Sequence, residues 1–127
     1  MKLEPLDIVF SEFIRKRAMV RVGGCERCLH KKTEYKRLQC SHFHGRSRRS
    51  VRWDEDNAVG LCPACHLYFT AQPIEHTQWF EHHLGGPGFI MLQARMRNIG
   101  KPDVHTLTIY YKAQIDIVEK QLDSSNK

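Results

Sequence analysis

Apolar residues recur at helical spacing near the start of the chain. Phe10, Phe13 and Ile14 share one face of a helix that the pattern predicts over residues 7–22, with Asp7 as its N-cap residue. The charged residues expected on the outer side of this helix are Glu12, Arg15 and Lys16.

Two further helices are predicted in the last third of the chain, within residues 87–124, because two apolar stripes are separated there by Gly100-Lys101-Pro102. Asp103 is expected to cap the second of them. The first stripe consists of Phe89, Leu92, Met96 and Ile99, and the second of Val104, Leu107, Tyr111, Ile115, Val118 and Leu122.

The middle of the chain has no sustained helical period and predicts mixed structure. Residues 38–43 and 51–53 are expected to form short strands, and residues 57–61 a helical turn. A helix is expected after the second cysteine pair, and another begins at Pro73 and ends at Gly85-Gly86. The predicted fold class is therefore α+β, with a core over about residues 25–84 and helical extensions over 7–22 and 87–124.

Composition favours a single domain that binds a polyanion. A chain of 127 residues supports one core, so one domain is predicted over residues 1–127. Its formal charge of +6 and pI near 9.2 favour DNA as a partner. No apolar run approaches the ~20 residues that a membrane-spanning helix needs, and the first residues lack a signal-peptide pattern. We therefore expect a cytoplasmic protein that does not bind membranes.

Four of the five cysteines form two C-x-x-C pairs, which is the spacing of a structural zinc site. Because each pair offers two thiolates, Cys25, Cys28, Cys62 and Cys65 are predicted to hold one tetrahedral Zn²⁺. The alternative, two pairs of buried or redox-active thiols, lacks the βαβ setting of a redox motif. Cys40 lacks such a partner and is expected to be a small buried thiol, with a role as a competing ligand as its alternative.

Between the cysteine pairs lie C-S-H-F-H-G-R at residues 40–46 and W-D-E-D-N-A-V-G-L-C at residues 53–62, followed by C-H at residues 65–66. This order resembles the HNH endonuclease family, in particular small phage and bacterial members with a four-cysteine zinc, including phage recombination nucleases. The resemblance covers about residues 25–84. It implies a zinc-stabilised ββα-metal, treble-clef-like core with flanking N- and C-terminal helices, and hydrolysis of DNA.

The resemblance also implies roles for three residues in hydrolysis. His42 is the candidate general base, because neutral imidazole accepts a proton near neutral pH. Asn57 orients this base or ligates metal, and His66 is the candidate ligand of a catalytic Mg²⁺ or Mn²⁺. Many family members carry Asp or His at the position of Ser41, which is thus a candidate ligand acting through water. His44, Glu75 and His76 are the alternative substitutes for it.

A basic loop next to this predicted site is expected to contact DNA phosphates, which would fix register without reading sequence. The alternative is a solvated loop without a ligand. The arginines concerned are Arg46, Arg48, Arg49 and Arg52.

The leading hypothesis is thus a metal-dependent HNH endonuclease that hydrolyses phosphodiester bonds in DNA. Nicking of one strand is one activity that this hypothesis includes. The alternative is a non-catalytic zinc module, derived from the same fold, that binds DNA or protein. A third hypothesis, a structure-specific nuclease preferring branched DNA, differs only in substrate. The sequence leaves monomer and homodimer open.

Overall fold

The computed structural model describes residues 1–125, so residues 126–127 of the predicted domain lie outside the described part of the chain. The two strands pair antiparallel, with Gln39 opposite Leu61 and His42 opposite Ala58. This architecture confirms the predicted α+β class. In chain order the elements are α1 (Pro5–Val22), β1 (Gln39–His42), β2 (Ala58–Leu61), α2 (Pro63–Ala71), α3 (Pro73–Leu84), α4 (Gly86–Arg97) and α5 (Val104–Ser125).

Helix α1 begins two residues before the predicted position. Glu4 is its N-cap residue, and Asp7 lies at the third helical position, where its Oδ2 accepts a hydrogen bond from the Glu4 backbone N–H at 2.7 Å. The two acidic residues thus form a capping box, which satisfies N–H groups that the helix itself leaves unpaired. The expectation that Asp7 is the N-cap was wrong, although its side chain does stabilise the helix start.

A first apolar cluster forms where α1 packs on α5. Phe10 and Phe13 of α1 contact the ring of Tyr111, with ring centroids 5.0 and 5.4 Å apart. Trp53 joins the cluster from the segment between the strands, and its carbonyl accepts a hydrogen bond from the Tyr111 hydroxyl. Burial of these side chains is what attaches both terminal helices to the sheet.

A second apolar cluster surrounds the cysteine pairs. It joins Leu61 of β2 to Phe69 of α2, Phe80 of α3 and Phe89 of α4. Gly60 allows α1 to approach the sheet closely, because a Cβ at this position would lie 2.7 Å from the Cβ of Ala18. The two clusters thus meet along the strand pair.

The second strand is where sequence and structure differ most. Residues 58–61 form β2 and not the predicted helical turn. All four are buried, so their apolar run carries no alternation that would distinguish a strand from a helix. The predicted strand at residues 51–53 is also wrong: Arg49–Val51 is a short 3₁₀ helix, and the Asp54 N–H donates to the Val51 carbonyl in a turn.

The helices predicted from apolar spacing are confirmed. Helix α4 ends at Arg97, so Ile99, predicted in its stripe, lies beyond it and is 99% exposed. Asp103 caps α5 by accepting a hydrogen bond from the Thr106 N–H. Across residues 1–125, no helix combines the length and apolarity that crossing a bilayer requires.

Candidate functional site

The two C-x-x-C pairs meet at one point in the fold. The Sγ atoms of all four cysteines lie within 4.8 Å of one another, and three of these residues are buried. Four thiols at this separation are compatible with a single tetrahedral Zn²⁺. The predicted assembly of the four residues into one cluster is thus confirmed: Cys25, Cys28, Cys62 and Cys65.

Local backbone geometry directs the sulfur atoms inward. After the first pair, Leu29 adopts a left-handed φ of 63°, and its N–H donates to the Cys25 carbonyl at 2.9 Å. The second pair opens α2, where Cys62 is the N-cap residue and Pro63 the first helical residue. At the N-terminus of α2 the Cys65 backbone N–H donates to the Sγ of Cys62 at 3.5 Å, which fixes the position of this sulfur.

Glu26 connects the first cysteine pair to the sheet. Its buried carboxylate accepts a hydrogen bond from the Gly60 N–H at 2.7 Å, and the Glu26 N–H donates to the Gly60 carbonyl at 2.9 Å. Burial opposes ionisation of the Cys25 thiol, yet backbone N–H groups, including that of Cys28, lower its pKa to about 7. Burial raises the pKa of the Cys28 thiol and brings that of Cys65 to about 12, so the thiols of the cluster differ in how readily they ionise.

Arg27, which the sequence analysis did not single out, lies beside the cluster. Its Nη1 donates to the Sγ of Cys65 at 3.3 Å, and its guanidinium carbon is 3.9 Å from the ring centroid of Tyr68. A cationic donor of this kind offsets thiolate charge. The only sequence signal was a basic residue inside the first C-x-x-C pair.

Cys40 lies apart from the cluster and packs against the α1–α5 core. Burial raises the pKa of its thiol to about 12. It is therefore a neutral, partly buried thiol and does not compete for the metal, which matches the first of the two interpretations of this residue.

His42 and His66 line one cavity of about 660 Å³, formed mainly by α1 and β1. Arg46 from the loop after β1 also lines it. The order strand, strand, helix therefore brings the two histidines, 24 positions apart in the sequence, to a single concave surface.

Each histidine is oriented by one hydrogen bond. The Nε2–H of His42 donates to the Arg52 carbonyl at 3.0 Å, and the Nδ1–H of His66 donates to the Gln39 side-chain oxygen at 2.7 Å. These bonds select the tautomers, leaving Nδ1 of His42 and Nε2 of His66 as the acceptor nitrogens. Burial lowers the pKa of both rings, so both are neutral at pH 7.

Asn57 is fully buried and fastens the segment between the strands. Its Oδ1 accepts from the His44 N–H at 2.8 Å, and its Nδ2 donates to the carbonyls of His44 and Val51 at 2.9 and 3.0 Å. All of these partners are backbone groups, so the Asn57 side chain positions the loop that follows His42, and none of its hydrogen bonds within residues 1–125 is to the His42 ring.

The expected ligands of a catalytic metal do not come together. Ser41 is 1% exposed and does not line the cavity, because alternation along β1 places it opposite His42. Glu75 is exposed on α3, and His44 is bound to Gln93. Within residues 1–125, the four cysteines are the only group of three or more possible ligands with atoms this close. The role predicted for Ser41, a metal ligand acting through water, stays a prediction, and the residue lies away from the cavity that His42 and His66 line.

His76 lies in an aromatic setting, stacked on Phe69 with ring centroids 4.5 Å apart. Burial, followed by the charges of His66 and His44, lowers its pKa to about 4. Its Nε2 is buried and has no hydrogen-bond partner within the described residues. His76 thus packs as a neutral ring.

The four predicted DNA-contacting arginines fall into two pairs. Arg46 and Arg48 are exposed in the loop. In contrast, Arg49 bonds Glu4 at 2.7 Å, and Arg52 is 4% exposed and bonds Asp7 at 2.6 Å. The expectation that Arg52 contacts phosphate is therefore corrected, because its guanidinium is buried in an ion pair inside the fold.

Comparison with known proteins gives one similarity. Residues 18–77 match the model of a family of CRISPR-associated proteins, Cas_CXXC_CXXC. The matched segment contains all four clustered cysteines, both cavity histidines and Asn57, and it spans somewhat less than half of the chain. No curated protein and no solved structure matches the chain significantly.

Proposed function

We propose that this chain is a zinc-stabilised module that binds DNA through the face carrying the cavity and the exposed arginines Arg46 and Arg48. The observation that carries this proposal is the adjacency of two features on one strand-strand-helix unit. The four-cysteine cluster holds β2 and α2 together, and α2 in turn presents His66 to the cavity.

The zinc part of the proposal rests on the donor set. Four clustered thiols suit Zn²⁺, and similarity to the Cas_CXXC_CXXC family covers the same cysteines. Bound to these residues, the ion would supply folding free energy. It would be structural and not catalytic, because a closed four-thiolate site leaves no open position for substrate.

DNA is favoured over a protein partner by charge. The chain carries a formal charge of +6. Within residues 1–125, neither Arg46 nor Arg48 has a carboxylate within ion-pair distance, whereas Arg49, Arg52 and Arg95 do. Exposed guanidinium groups without a counter-charge suit the phosphates of a nucleic acid strand, and that of Arg46 lines the cavity.

Fluorescence anisotropy with a labelled DNA duplex and its single strand tests this proposal. Changing Arg46 and Arg48 together to Ala is expected to reduce the slope of log K against log salt by about 2, one unit per lost phosphate contact. The control changes Arg97 and Lys112 to Ala, which removes the same charge from exposed sites on α4 and α5. No binding by the zinc-loaded wild type, or equal slopes for the two double variants, would reject the proposal.

A second candidate function, phosphodiester hydrolysis of the HNH type, is favoured by the setting of His42. The Nε2–H bond to the Arg52 carbonyl leaves Nδ1 of a neutral ring free to accept a proton. Asn57 holds the loop that carries Arg46, and His66 lines the same cavity. In this proposal His42 takes the proton from the attacking water, whose oxygen bonds to phosphorus as the bond to the leaving sugar oxygen breaks. The leaving oxygen takes a proton from solvent, and Arg46 stabilises the charge that develops on phosphate.

A supercoiled-plasmid assay separates the two functions. Mg²⁺, Mn²⁺ and EDTA are separate arms of this assay. The described residues do not assemble a second ligand cluster for such a cation. If His42 is the base, His42→Ala should lower the rate at least ~100-fold. The control, His105→Ala, changes an exposed histidine of α5 and should retain full activity. DNA binding without conversion in any arm would leave the binding module as the function.

A further inference from the structure

Arg15 of α1 lines the same cavity as His42 and Arg46. Helical spacing placed it on the outer side of the helix, and it does lie away from the α1–α5 core. The side that α1 turns away from α5 is nevertheless a wall of the cavity, because β1 and the loop after it fold against that side.

The guanidinium of Arg15 is held in place on one side only. Its Nε donates to both the carbonyl oxygen and the hydroxyl oxygen of Ser11, each at 3.1 Å. Its guanidinium carbon lies 4.9 Å from the ring centroid of Tyr35. Within residues 1–125 the two terminal nitrogens have no hydrogen-bond partner, so the pair of donors that suits a phosphate is oriented and free.

Neighbouring arginines do not share this arrangement. The terminal nitrogens of Arg17 donate to the carbonyls of Glu55 and Ala58 at 2.9 and 2.8 Å. Arg52 is bound to Asp7 at 2.6 Å. Both are committed to the fold, whereas Arg15 keeps its strongest donors for a ligand.

The cavity around Arg15 has no free negative charge. Among the described residues that line it, Asp7 is the only acidic one, and that carboxylate is already bound to Arg52. Burial keeps the thiol of Cys40 neutral because it raises the pKa of this group to about 12. Arg15 and Arg46 therefore give the cavity a net positive potential, which attracts anions.

We propose that Arg15 is a phosphate clamp that binds one phosphodiester group of the DNA strand through its two terminal nitrogens, while Arg46 binds a neighbouring group. This assignment rests on the proposed DNA-binding function. It adds α1 to the parts of the protein that contact the DNA strand. Ser11 is the positioning residue, since it holds the Nε side of the fork.

Binding of the labelled DNA by the zinc-loaded, full-length protein tests the clamp. Arg15→Ala should weaken binding about tenfold at 0.1 M salt and reduce the salt slope by about 1. Arg15→Lys keeps the charge and loses the fork, so it should retain the slope and lose part of the affinity. Ser11→Ala should likewise weaken binding without changing the slope. The matched control is Lys112→Ala, which removes one exposed charge of α5.

The outcomes distinguish this inference from the function on which it rests. Wild-type protein that fails to bind either form of DNA would reject both. Wild-type binding that Arg15→Ala reduces no more than Lys112→Ala would reject the clamp and leave the DNA-binding function in place. Melting temperatures show whether each variant is folded. If Arg15→Ala does not fold, the affinity of Arg15→Lys decides whether the clamp is present.

Discussion

Asp7 connects the start of α1 to the segment between the strands. Its carboxylate accepts hydrogen bonds from the Glu4 N–H, from two guanidinium nitrogens of Arg52 and from the Trp53 indole, at 2.6 to 3.0 Å. Both members of the Asp7–Arg52 pair have side chains that are 4% exposed. Removing one partner of such a pair leaves the other charge buried without compensation.

We therefore expect Asp7→Ala to lower the free energy of unfolding by about 3 kcal/mol or more, because Arg52 and the Trp53 indole lose their acceptor. Urea denaturation at pH 7 measures this change. The control, Asp116→Ala, removes an exposed carboxylate of α5 and should shift stability by less than about 0.5 kcal/mol. Equal midpoints for the two variants would contradict the structural role of Asp7.

The same carboxylate makes stability depend on pH. Burial raises the pKa of Asp7, but the hydrogen bonds and charge of Arg52 outweigh burial and bring the pKa below its usual value. The stabilisation is therefore complete above the pKa of about 4 in the unfolded chain, and is lost as the pH falls through the lower folded-state pKa. The difference between wild type and Asp7→Ala should narrow in that acidic range.

At the residue scale, spacing predicted that the four cysteines form one cluster but not the partners of most charged side chains. The four cysteines are encoded by two local motifs, each of which needs only a turn. No local motif indicates the roles of Arg52 and Arg15. Arg52 is buried against Asp7, 45 positions away, and Arg15 becomes part of the cavity only when α1 packs next to β1.

Helix α4 holds the segment between the strands from the outside. Arg95 bonds Asp54 at 2.6 Å and Asp56 at 2.9 Å, and the Ser50 hydroxyl donates to the Met96 carbonyl at 2.7 Å. Gln93 binds His44 on the same helix face. The loop that carries Arg46 and Arg48 is thus fixed from within by Asn57 and from without by α4.

Arg95→Ala should release part of this segment. Since the ion pairs are partly exposed, the expected loss is about 1 kcal/mol, which corresponds to roughly fivefold faster exchange of the Val51 and Asp54 amides if they exchange by local opening. Both amides donate to carbonyls within the segment. Arg97→Ala, on the same helix and exposed, is the control. Unchanged amide exchange in Arg95→Ala would show that α4 is not needed to fix the loop.

The elements that the sequence predicted are those whose periodicity is local. Helices α1, α4 and α5 follow from apolar spacing, and α3 from the position of Pro73. Strand β2 could not be predicted in this way, because its four residues are buried on both faces and its identity depends on pairing with β1. The cavity could not be predicted from the sequence either, since it forms only when α1 packs on the sheet of β1 and β2.

At the scale of the whole molecule, the two apolar clusters differ in whether they contain the proposed metal ligands. The cluster around Phe69, Phe80 and Phe89 includes three of the four clustered cysteines, whereas the α1–α5 cluster includes none of these four. Zinc-finger peptides gain ~10 kcal/mol or more from their metal, which is comparable to the 5–15 kcal/mol stability of a whole small domain. The second apolar cluster, which surrounds the cysteine pairs, should therefore lose its structure when the metal is removed.

Trp53 and Trp79 report on the two clusters separately. Trp53 is buried in the α1–α5 cluster. Trp79 packs on the second apolar cluster, around the cysteine pairs, and is stacked against His83 with ring centroids 4.7 Å apart. A strong zinc chelator is expected to move the indole N–H resonance of Trp79 to the position of an unfolded chain in ¹H–¹⁵N spectra. The indole N–H resonance of Trp53 is expected to keep its folded-state position. Trp79→Phe assigns the two peaks, and chelator saturated with Zn²⁺ is the control. If both indoles shifted together, the metal would stabilise one cooperative unit; if neither did, the four thiols would not be holding a structural ion.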